Sequence, residues 1–160
     1  EEQPMNIASL LTKDRILCGA ESSSKKKLLE TLAGMLARDL PEDLDVSTVF
    51  ESLLHRERLG STGIGHGVAI PHGRLPGATQ AIGALITLSE GIDYDAPDQQ
   101  PVDLLFALIV PEESTEEHLQ ILATLAQSFS SEETANALRQ CPDNEQVLVV
   151  TGQWEVPTAA

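Results

Sequence analysis

The chain has 160 residues, of which 41% are hydrophobic but only 3% aromatic, and its formal net charge is −15 at pH 7. This length suits one domain with an aliphatic core, and no apolar run approaches the roughly 18 residues of a membrane span. The negative charge disfavours binding to nucleic acid and to anionic membranes. We therefore expect no nucleic-acid partner and no membrane insertion, and the charge favours a protein partner with a positive docking face.

The first ten residues and the two cysteines indicate where the protein acts. Residues 1–10 contain neither a basic region nor a long apolar stretch, so we predict no secretory signal. Cys18 and Cys141 match no metal or redox spacing, which is typical of reduced thiols, with a disulfide as the less favoured alternative. These features predict a cytoplasmic protein.

Two amphipathic helices are predicted in the first third of the chain. Serines 22–24 are suited to cap the first helix, and Pro41 ends it. The lysines at 25–27 are more typical of a solvated helix face than of an anion site. The second helix ends in cations that suit a helix C-terminus, His55, Arg56 and Arg58. The apolar positions are Leu28, Leu29, Leu32, Leu36 and Leu40 in the first helix, and Val46, Val49, Phe50, Leu53 and Leu54 in the second.

A glycine-rich segment and several apolar runs follow. Residues 60–77 hold six of the eleven glycines, a density that excludes an ordinary helix, and within them 68–70 is a short predicted strand stopped by Pro71. The runs 81–88 and 104–110 indicate strands buried on both faces, and 147–151 resembles one more strand. The alternation of helices and buried strands predicts a single α/β domain, with a mixed sheet between layers of helices.

One more helix is predicted after the second buried strand. Ser114-Thr115-Glu116-Glu117 has the pattern of a capping box. At 100° per residue His118 falls on the apolar stripe of this helix, so we expect its ring to point inward from the first turn. The residues predicted to be buried are Leu119, Leu122, Leu125, Ala126 and Phe129.

His72 and His118 each follow a predicted strand and a proline. Sites in α/β proteins commonly lie beyond the carboxyl ends of strands, so parallel strands would let the two rings face each other across one crevice. A neutral imidazole has a free lone pair and can attack phosphorus, giving a labile phosphoimidazole suited to onward transfer. The candidate donors to such a group are Arg56, Ser61, Thr62, a ring N–H of His118 and the amides of the glycine-rich loop, among them Gly63 and Gly73.

Other interpretations of these residues stay open at this point. A lone inward histidine is usually a core residue, glycine-rich loops usually form turns, and an arginine such as Arg56 is common at helix ends. His66, His72 and His118 with a nearby Glu are also the residue types of a three-ligand zinc centre. No His-x-x-x-His spacing occurs and neither cysteine lies near the histidines in sequence, so we expect no metal.

Two blocks of sequence carry a family resemblance. The first contains residues 56–65, RERLGSTGIG, and residues 67–74, GVAIPHGR; the second contains residues 101–111, PVDLLFALIVP, followed by His118. Both resemble the fructose/mannitol-type enzyme IIA family of the phosphoenolpyruvate-dependent phosphotransferase system, most of all its nitrogen-regulatory branch. The likeness spans residues 7–150. We expect a flexible or engineered segment at 1–5, the family domain at 6–151 and a flexible tail at 152–160.

The resemblance implies a regulatory phosphocarrier that needs no cofactor, built on a mixed sheet flanked by helices on both faces. His72 would accept phosphate at Nε2 from the phosphohistidine of an HPr-like carrier protein called NPr. His118 and Arg56 would support the phosphoryl group, with Ser61 and Thr62 lining the pocket. The regulated partners implied by this branch are potassium-transport and stress-signalling proteins. Many relatives carry Asn where this chain has His66. The histidine would add pH sensitivity to the site.

Three functions fit these residues. The first is a regulatory phosphocarrier, and the second is a sugar-specific enzyme IIA that passes phosphate to a permease IIB subunit. The third is a binding domain that kept the fold without phosphorylation. The presence of His72, His118 and Arg56 disfavours the third function, and the family resemblance alone favours the first over the second.

Overall fold

The two long apolar runs of the sequence form the centre of a six-stranded mixed sheet. The computed structural model describes residues 5–113 and 115–157. Its longest strands pair antiparallel, while the strands on either side of them run parallel to their neighbours. The strands are β1 (Ile16–Ala20), β2 (Gly63–Gly65), β3 (Val68–Ala69), β4 (His72–Leu75), β5 (Ile82–Ile92) and β6 (Val102–Pro111). Their order is β1-β5-β6-β3-β2, and β4 continues beside β6 in line with β3.

The helices of the described residues begin where a short polar side chain caps the first turn. Ser24, Asp45 and Thr115 accept hydrogen bonds from backbone N–H groups three residues later, as N-cap residues do. The helices are α1 (Lys25–Ala37), α2 (Val46–Arg58), α3 (Glu116–Phe129), α4 (Glu132–Arg139) and α5 (Asn144–Thr151), with short 3₁₀ turns at Ile7–Leu10 and Lys13–Arg15.

Strand β6 divides the interior into two cores. Leu105, Ala107 and Ile109 belong to a cluster shared with α1 and α2. The residues between and beside them belong to a second cluster shared with α3, α4 and α5, namely Leu104, Phe106, Leu108 and Val110. Successive side chains of a strand point to opposite faces, so β6 is covered by helices on both sides. The predicted α/β fold, a mixed sheet with helices on both faces, is confirmed.

The predicted strand at 147–151 is wrong, because these residues form most of α5. The side chain of Asp143 caps this helix by accepting from the N–H of Gln146 at 3.0 Å. Val147 and Thr151, four residues apart, form its buried face, and Val149 is exposed. The cap and the buried face therefore determine the structure of this short β-branched run, although its residues intrinsically prefer strands.

Four details of the predicted helices also differ from the structure. Helix α1 ends at Ala37, before Leu40, and Val46 at the start of α2 is exposed. In α3 the N-cap is Thr115, so the capping box predicted on Ser114 is out of register; Ser114 itself lies outside the described residues. Leu119 and Ala126 are exposed, because the buried stripe instead follows the i, i+4 row Ile121, Leu125 and Phe129.

The two ends of the described chain lie together. The N–H of Val156 donates to the carbonyl of Met5 at 2.7 Å, and Val156 is buried. Trp154 packs edge-to-face on Phe129 with ring centroids 5.2 Å apart. Within the tail predicted at 152–160, Trp154 and Val156 therefore contact the rest of the domain, while residues 1–4 and 158–160 lie outside the described residues. None of the described helices combines the length and hydropathy needed to cross a membrane.

Candidate functional site

The second half of α2 and strand β4 line a cleft of about 820 Å³ that contains His72. Helix α2 contributes Arg56 from its last turn, and β4 contributes Arg74. Three cationic or titratable side chains therefore surround one opening in a chain of net charge −15. The other charged or titratable residues of the lining are Glu51 and His55.

His72 is the first residue of β4, and it lies on a strand where a loop position was predicted. Pro71 interrupts the line of β3 because it has no N–H, but its carbonyl accepts from the N–H of Leu108 at 2.9 Å. The pairing with β6 then resumes with His72 opposite Leu108 and Gly73 opposite Ile109. The sheet therefore fixes the backbone of the candidate nucleophile.

The ring of His72 has one nitrogen engaged and one free to react. Its Nδ1 lies 2.8 Å from the carbonyl oxygen of Ile70, and a carbonyl only accepts, so Nδ1 carries the proton and Nε2 the lone pair. Burial lowers the pKa of His72, and the charge of Arg56 lowers it further, against an opposing effect of the Ile70 hydrogen bond and of Glu57. The ring is therefore held in the neutral form that a nucleophile requires.

Arg56 lies close enough to His72 for its charge to act on the imidazole. Its Nη1 donates to the carbonyl of Gly60 at 2.8 Å, so the guanidinium closes the turn that follows α2. The side chain is half-buried and lines the cleft. A guanidinium in this place supplies the fixed positive charge that a bound phosphoryl group needs.

The predicted phosphate-pocket residues Ser61, Thr62 and Gly63 are occupied in other contacts. The hydroxyl of Ser61 accepts from the N–H of Gly63 at 3.1 Å. Thr62 is buried, and its hydroxyl donates to the carboxylate of Glu57. A Cβ on Gly63 would meet the Cβ of Ala96 at 2.9 Å, so this glycine permits close packing. These contacts stabilise the loop, and none of the three residues is among those that line the cleft.

Gly73 lets α2 approach β4 closely. A Cβ at this position would overlap the hydroxyl of Ser52, whose Oγ donates to the carbonyl of Arg74 at 3.2 Å. Gly73 pairs with Ile109, a residue of the core shared with α1 and α2, so the glycine lies on the face of the sheet that α2 covers.

His118 lies in the first turn of α3 and is half-buried. Its Nδ1 accepts from the N–H of Thr115 at 3.3 Å, and the hydroxyl of Thr115 accepts from the N–H of His118, which together form a capping box. The proton of the neutral ring is therefore on Nε2. Among the described residues, no hydrogen bond joins His118 to His72, and His118 is not part of the lining of the cleft.

Two further predictions concern His66 and a metal. His66 is exposed and has φ 57°, a left-handed conformation that Asn and His adopt more readily than most residues, and its carbonyl accepts from Arg139. Within residues 5–113 and 115–157, no three His, Cys, Asp or Glu side chains are grouped as metal ligands would be. The zinc alternative therefore gains no support from the side-chain arrangement.

Sequence reasoning did not single out Glu57, although it is a charged residue with only 7% exposure. Its carboxylate forms an ion pair with Lys25 at 2.9 Å and accepts from the hydroxyl of Tyr94 at 2.9 Å. A signal was present, because Val49, Leu53 and Glu57 are spaced four residues apart on the buried face of α2.

Comparisons with known proteins identify the family of this chain. The model of the family described as "Phosphoenolpyruvate-dependent sugar phosphotransferase system, EIIA 2" matches residues 9–151. This chain belongs to that family. The membership confirms the resemblance inferred from the two sequence blocks, and it makes the chain a component of a phosphotransfer system.

Several of the relatives that resemble this chain are named nitrogen regulatory proteins. The chain is 45% identical over 141 residues to one from Pseudomonas aeruginosa, covering 88% of this chain and 91% of the relative. It is 39% identical over 152 residues to one from Escherichia coli K12, covering 94% and 92%. The crystal structure of nitrogen regulatory protein IIA-Ntr from Neisseria meningitidis superimposes with a TM-score of 0.86 at 43% identity, covering 91% of this chain and 98% of that one.

Proposed function

We propose that this EIIA 2 protein is a regulatory phosphocarrier that accepts a phosphoryl group on Nε2 of His72. One observation carries the proposal, namely the unprotonated Nε2 that results from the hydrogen bond between Nδ1 and Ile70. The charge of Arg56, which acts on the same ring, supports it, because phosphoryl transfer depends mainly on positioning and on stabilising negative charge.

The donor is the phosphohistidine of an HPr-like carrier, NPr. The lone pair of His72 Nε2 attacks the phosphorus atom while the bond from phosphorus to the carrier's ring nitrogen breaks, and that electron pair stays on the carrier's ring. Arg56 and an Nε2–H of His118 would stabilise the oxygens of the transferred group. Family membership and the names of the similar relatives support this direction of transfer and the regulatory role.

Phosphorylation would add about two negative charges at the cleft and so change which proteins bind there. We place the protein in the cytoplasm, with potassium-transport and stress-signalling proteins as its regulated partners. A second candidate function is transfer to a permease IIB subunit, which membership in a family of the sugar phosphotransferase system favours. The two functions use the same site and differ only in the recipient.

The first test is intact mass after incubation with phosphoenolpyruvate, enzyme I and the HPr-like carrier. We expect a gain of about 80 Da, one acid-labile phosphoryl group, that His72→Ala abolishes. The matched control is His66→Asn, an exposed histidine in the preceding turn, which should be phosphorylated like the wild type. A wild-type chain that gains no mass with an active carrier contradicts the proposal and leaves the binding-domain function. Adding a IIB subunit to the phosphorylated protein and measuring whether the phosphoryl group moves to it distinguishes the two functions.

A further inference from the structure

Three hydrogen bonds connect the carboxylate of Glu57 to the ring of His72. Glu57 Oε2 accepts from the N–H of Thr62 at 3.3 Å. The carbonyl of Thr62 accepts from the N–H of Ile70 at 3.0 Å, and the carbonyl of Ile70 lies 2.8 Å from His72 Nδ1. The path therefore leads from α2, through the loop after it, to the first residue of β4.

Glu57 is itself held from several sides. Its side chain is 2% exposed, and Lys25 Nζ, at the start of α1, forms an ion pair with it at 2.9 Å. Tyr94 donates its hydroxyl to Glu57 Oε1 at 2.9 Å, and the Lys25 ammonium lies 4.3 Å from the centre of the Tyr94 ring. Lys25 also donates to the Tyr94 carbonyl at 3.1 Å. A buried carboxylate with this many partners has one position, so it fixes the groups that donate to it.

The arrangement has more charge and more hydrogen bonds than packing requires. A turn after a helix can be closed by backbone bonds alone, and here Leu59 and Gly60 already donate to the carbonyls of Arg56 and Glu57. The additional buried carboxylate is next in sequence to Arg56 and binds the loop that binds Ile70. Ile70 in turn determines which nitrogen of His72 carries the proton.

We propose that Glu57 is a positioning residue for phosphoryl acceptance, which fixes the ring orientation and tautomer of His72 through Thr62 and Ile70. The inference rests on the proposed function of His72 as the acceptor. Lys25 and Tyr94 hold Glu57, and they act on the reaction only through it. A carboxylate that orients a histidine usually contacts the ring directly, and here two backbone residues replace that contact.

The charges around His72 determine what the test should show. Arg56 and Glu57 act on the ring from α2, Arg74 acts from β4, and Glu51 and His55 of α2 line the same cleft. Glu57 favours the protonated ring and the two arginines disfavour it. Removing the charge of Glu57 therefore lowers the pKa of His72, in addition to freeing the ring.

The experiment compares Glu57→Gln with Glu145→Gln. The control makes the same substitution on α5, where Glu145 forms an exposed ion pair with Lys13. In ¹⁵N spectra of the histidine side chains, Glu57→Gln should lower the pKa of His72 and mix its tautomers, while Glu145→Gln should leave both as in the wild type. The rate of phosphoryl acceptance should fall about tenfold or more with Glu57→Gln, because small displacements of a reacting group are costly. A folded Glu57→Gln protein with wild-type ¹⁵N shifts and rate overturns the inference.

Two further measurements keep the outcomes separate. If Glu57→Gln does not fold, Tyr94→Phe decides, since it removes one hydrogen bond to the same carboxylate without changing charge; it should mix the His72 tautomers, and unchanged tautomers overturn the inference. If the wild type accepts no phosphoryl group, the proposed function fails. The ¹⁵N tautomer comparison on the unphosphorylated protein then still confirms or overturns the effect of Glu57 on the orientation and tautomer of the His72 ring.

Discussion

The Nδ1 atom of His72 lies 2.8 Å from the carbonyl oxygen of Ile70, two residues earlier in the chain. Since this contact places the ring proton on Nδ1, we expect the phosphoryl group on Nε2. Long-range ¹H–¹⁵N spectra of the phosphorylated protein should show phosphorus coupling at Nε2. Coupling at Nδ1 would mean that the ring leaves Ile70 before it reacts.

The lowered pKa of His72 sets the pH range of the reaction. Burial and the Arg56 charge hold it below the usual value of about 6.5, so the neutral ring persists under mildly acidic conditions. Phosphoryl acceptance should therefore stay constant as the pH falls to about 6.5 and decline only below the folded pKa. Arg56→Gln should raise the pKa, as measured from the His72 C2 proton. A pKa unchanged in Arg56→Gln would show that burial and Arg74 lower the pKa of His72 without a contribution from Arg56.

The same shift affects folding stability with a defined sign. Because the folded pKa is below the unfolded value of about 6.5, the unfolded chain binds more protons between these two values. The contribution of His72 should therefore make the protein less stable as pH falls through this window, with no further change below the folded pKa. Urea unfolding of wild type and His72→Gln across the window measures it, since the variant lacks this dependence.

His118 has an observed role as a helix cap and a proposed role at the phosphoryl group, and substitution can separate them. Its Nδ1 completes the capping box of α3, and Gln at the same position can make the equivalent contact. His118→Gln should keep the melting temperature but shorten the lifetime of phosphorylated His72, because a flexible amide does not hold its N–H groups in the place of the rigid ring Nε2–H. His118→Ala should also lower stability, by about 1 kcal/mol. Equal phosphoryl lifetimes in His118→Gln and wild type would remove His118 from the site.

The contact between Gly73 and Ser52 predicts a compensated pair. Gly73→Ala should destabilise the fold by about 1–3 kcal/mol, since the added methyl overlaps the Ser52 hydroxyl. Ser52→Ala should restore part of the loss by removing that oxygen. Thermal unfolding of both single variants and the double variant measures the coupling, and additive effects would show that the two residues do not interact.

The ion pair of Lys25 and Glu57 predicts a second coupled pair. Lys25→Met leaves a carboxylate of 2% exposure without its counter-ion and should cost about 3–5 kcal/mol. Adding Glu57→Gln should recover much of that loss, because an uncharged pair needs no compensation. Urea denaturation of the four proteins completes the cycle, and a double variant as unstable as the sum of the singles would contradict it.

Sequence patterns predicted the parts of the fold where local and tertiary preferences coincide. The apolar runs at β5 and β6 are buried by any sheet that helices cover on both faces, and α1 and α2 have caps and apolar stripes of their own. Helix α5 was missed because its valines favour a strand, whereas the Asp143 cap and the buried face of Val147 and Thr151 favour the helix. Strands β2 and β4 are too short to show periodicity.

The residues of the candidate site also fall into two groups, those with a local signal in the sequence and those without one. His72 and Arg56 were predicted because their residue types and motif are local, and the fold brings their charges together. Glu57, Tyr94 and Lys25 come from three separate segments, so no spacing in the sequence indicates that they meet. The engaged hydroxyl of Thr62 was likewise unpredictable, because its partner only becomes a neighbour when the turn after α2 closes.

Strand β4 pairs with β6 along its whole length, beginning at His72 itself. The backbone of His72 cannot move away from β6 without breaking these hydrogen bonds. A phosphoryl group at His72 would therefore alter the local electric field and leave the backbone of the sheet unchanged. Partners would then distinguish the two states by charge over a distance near 10 Å, the screening length at moderate salt. Discrimination between the states should consequently fade as ionic strength rises, even where binding itself persists.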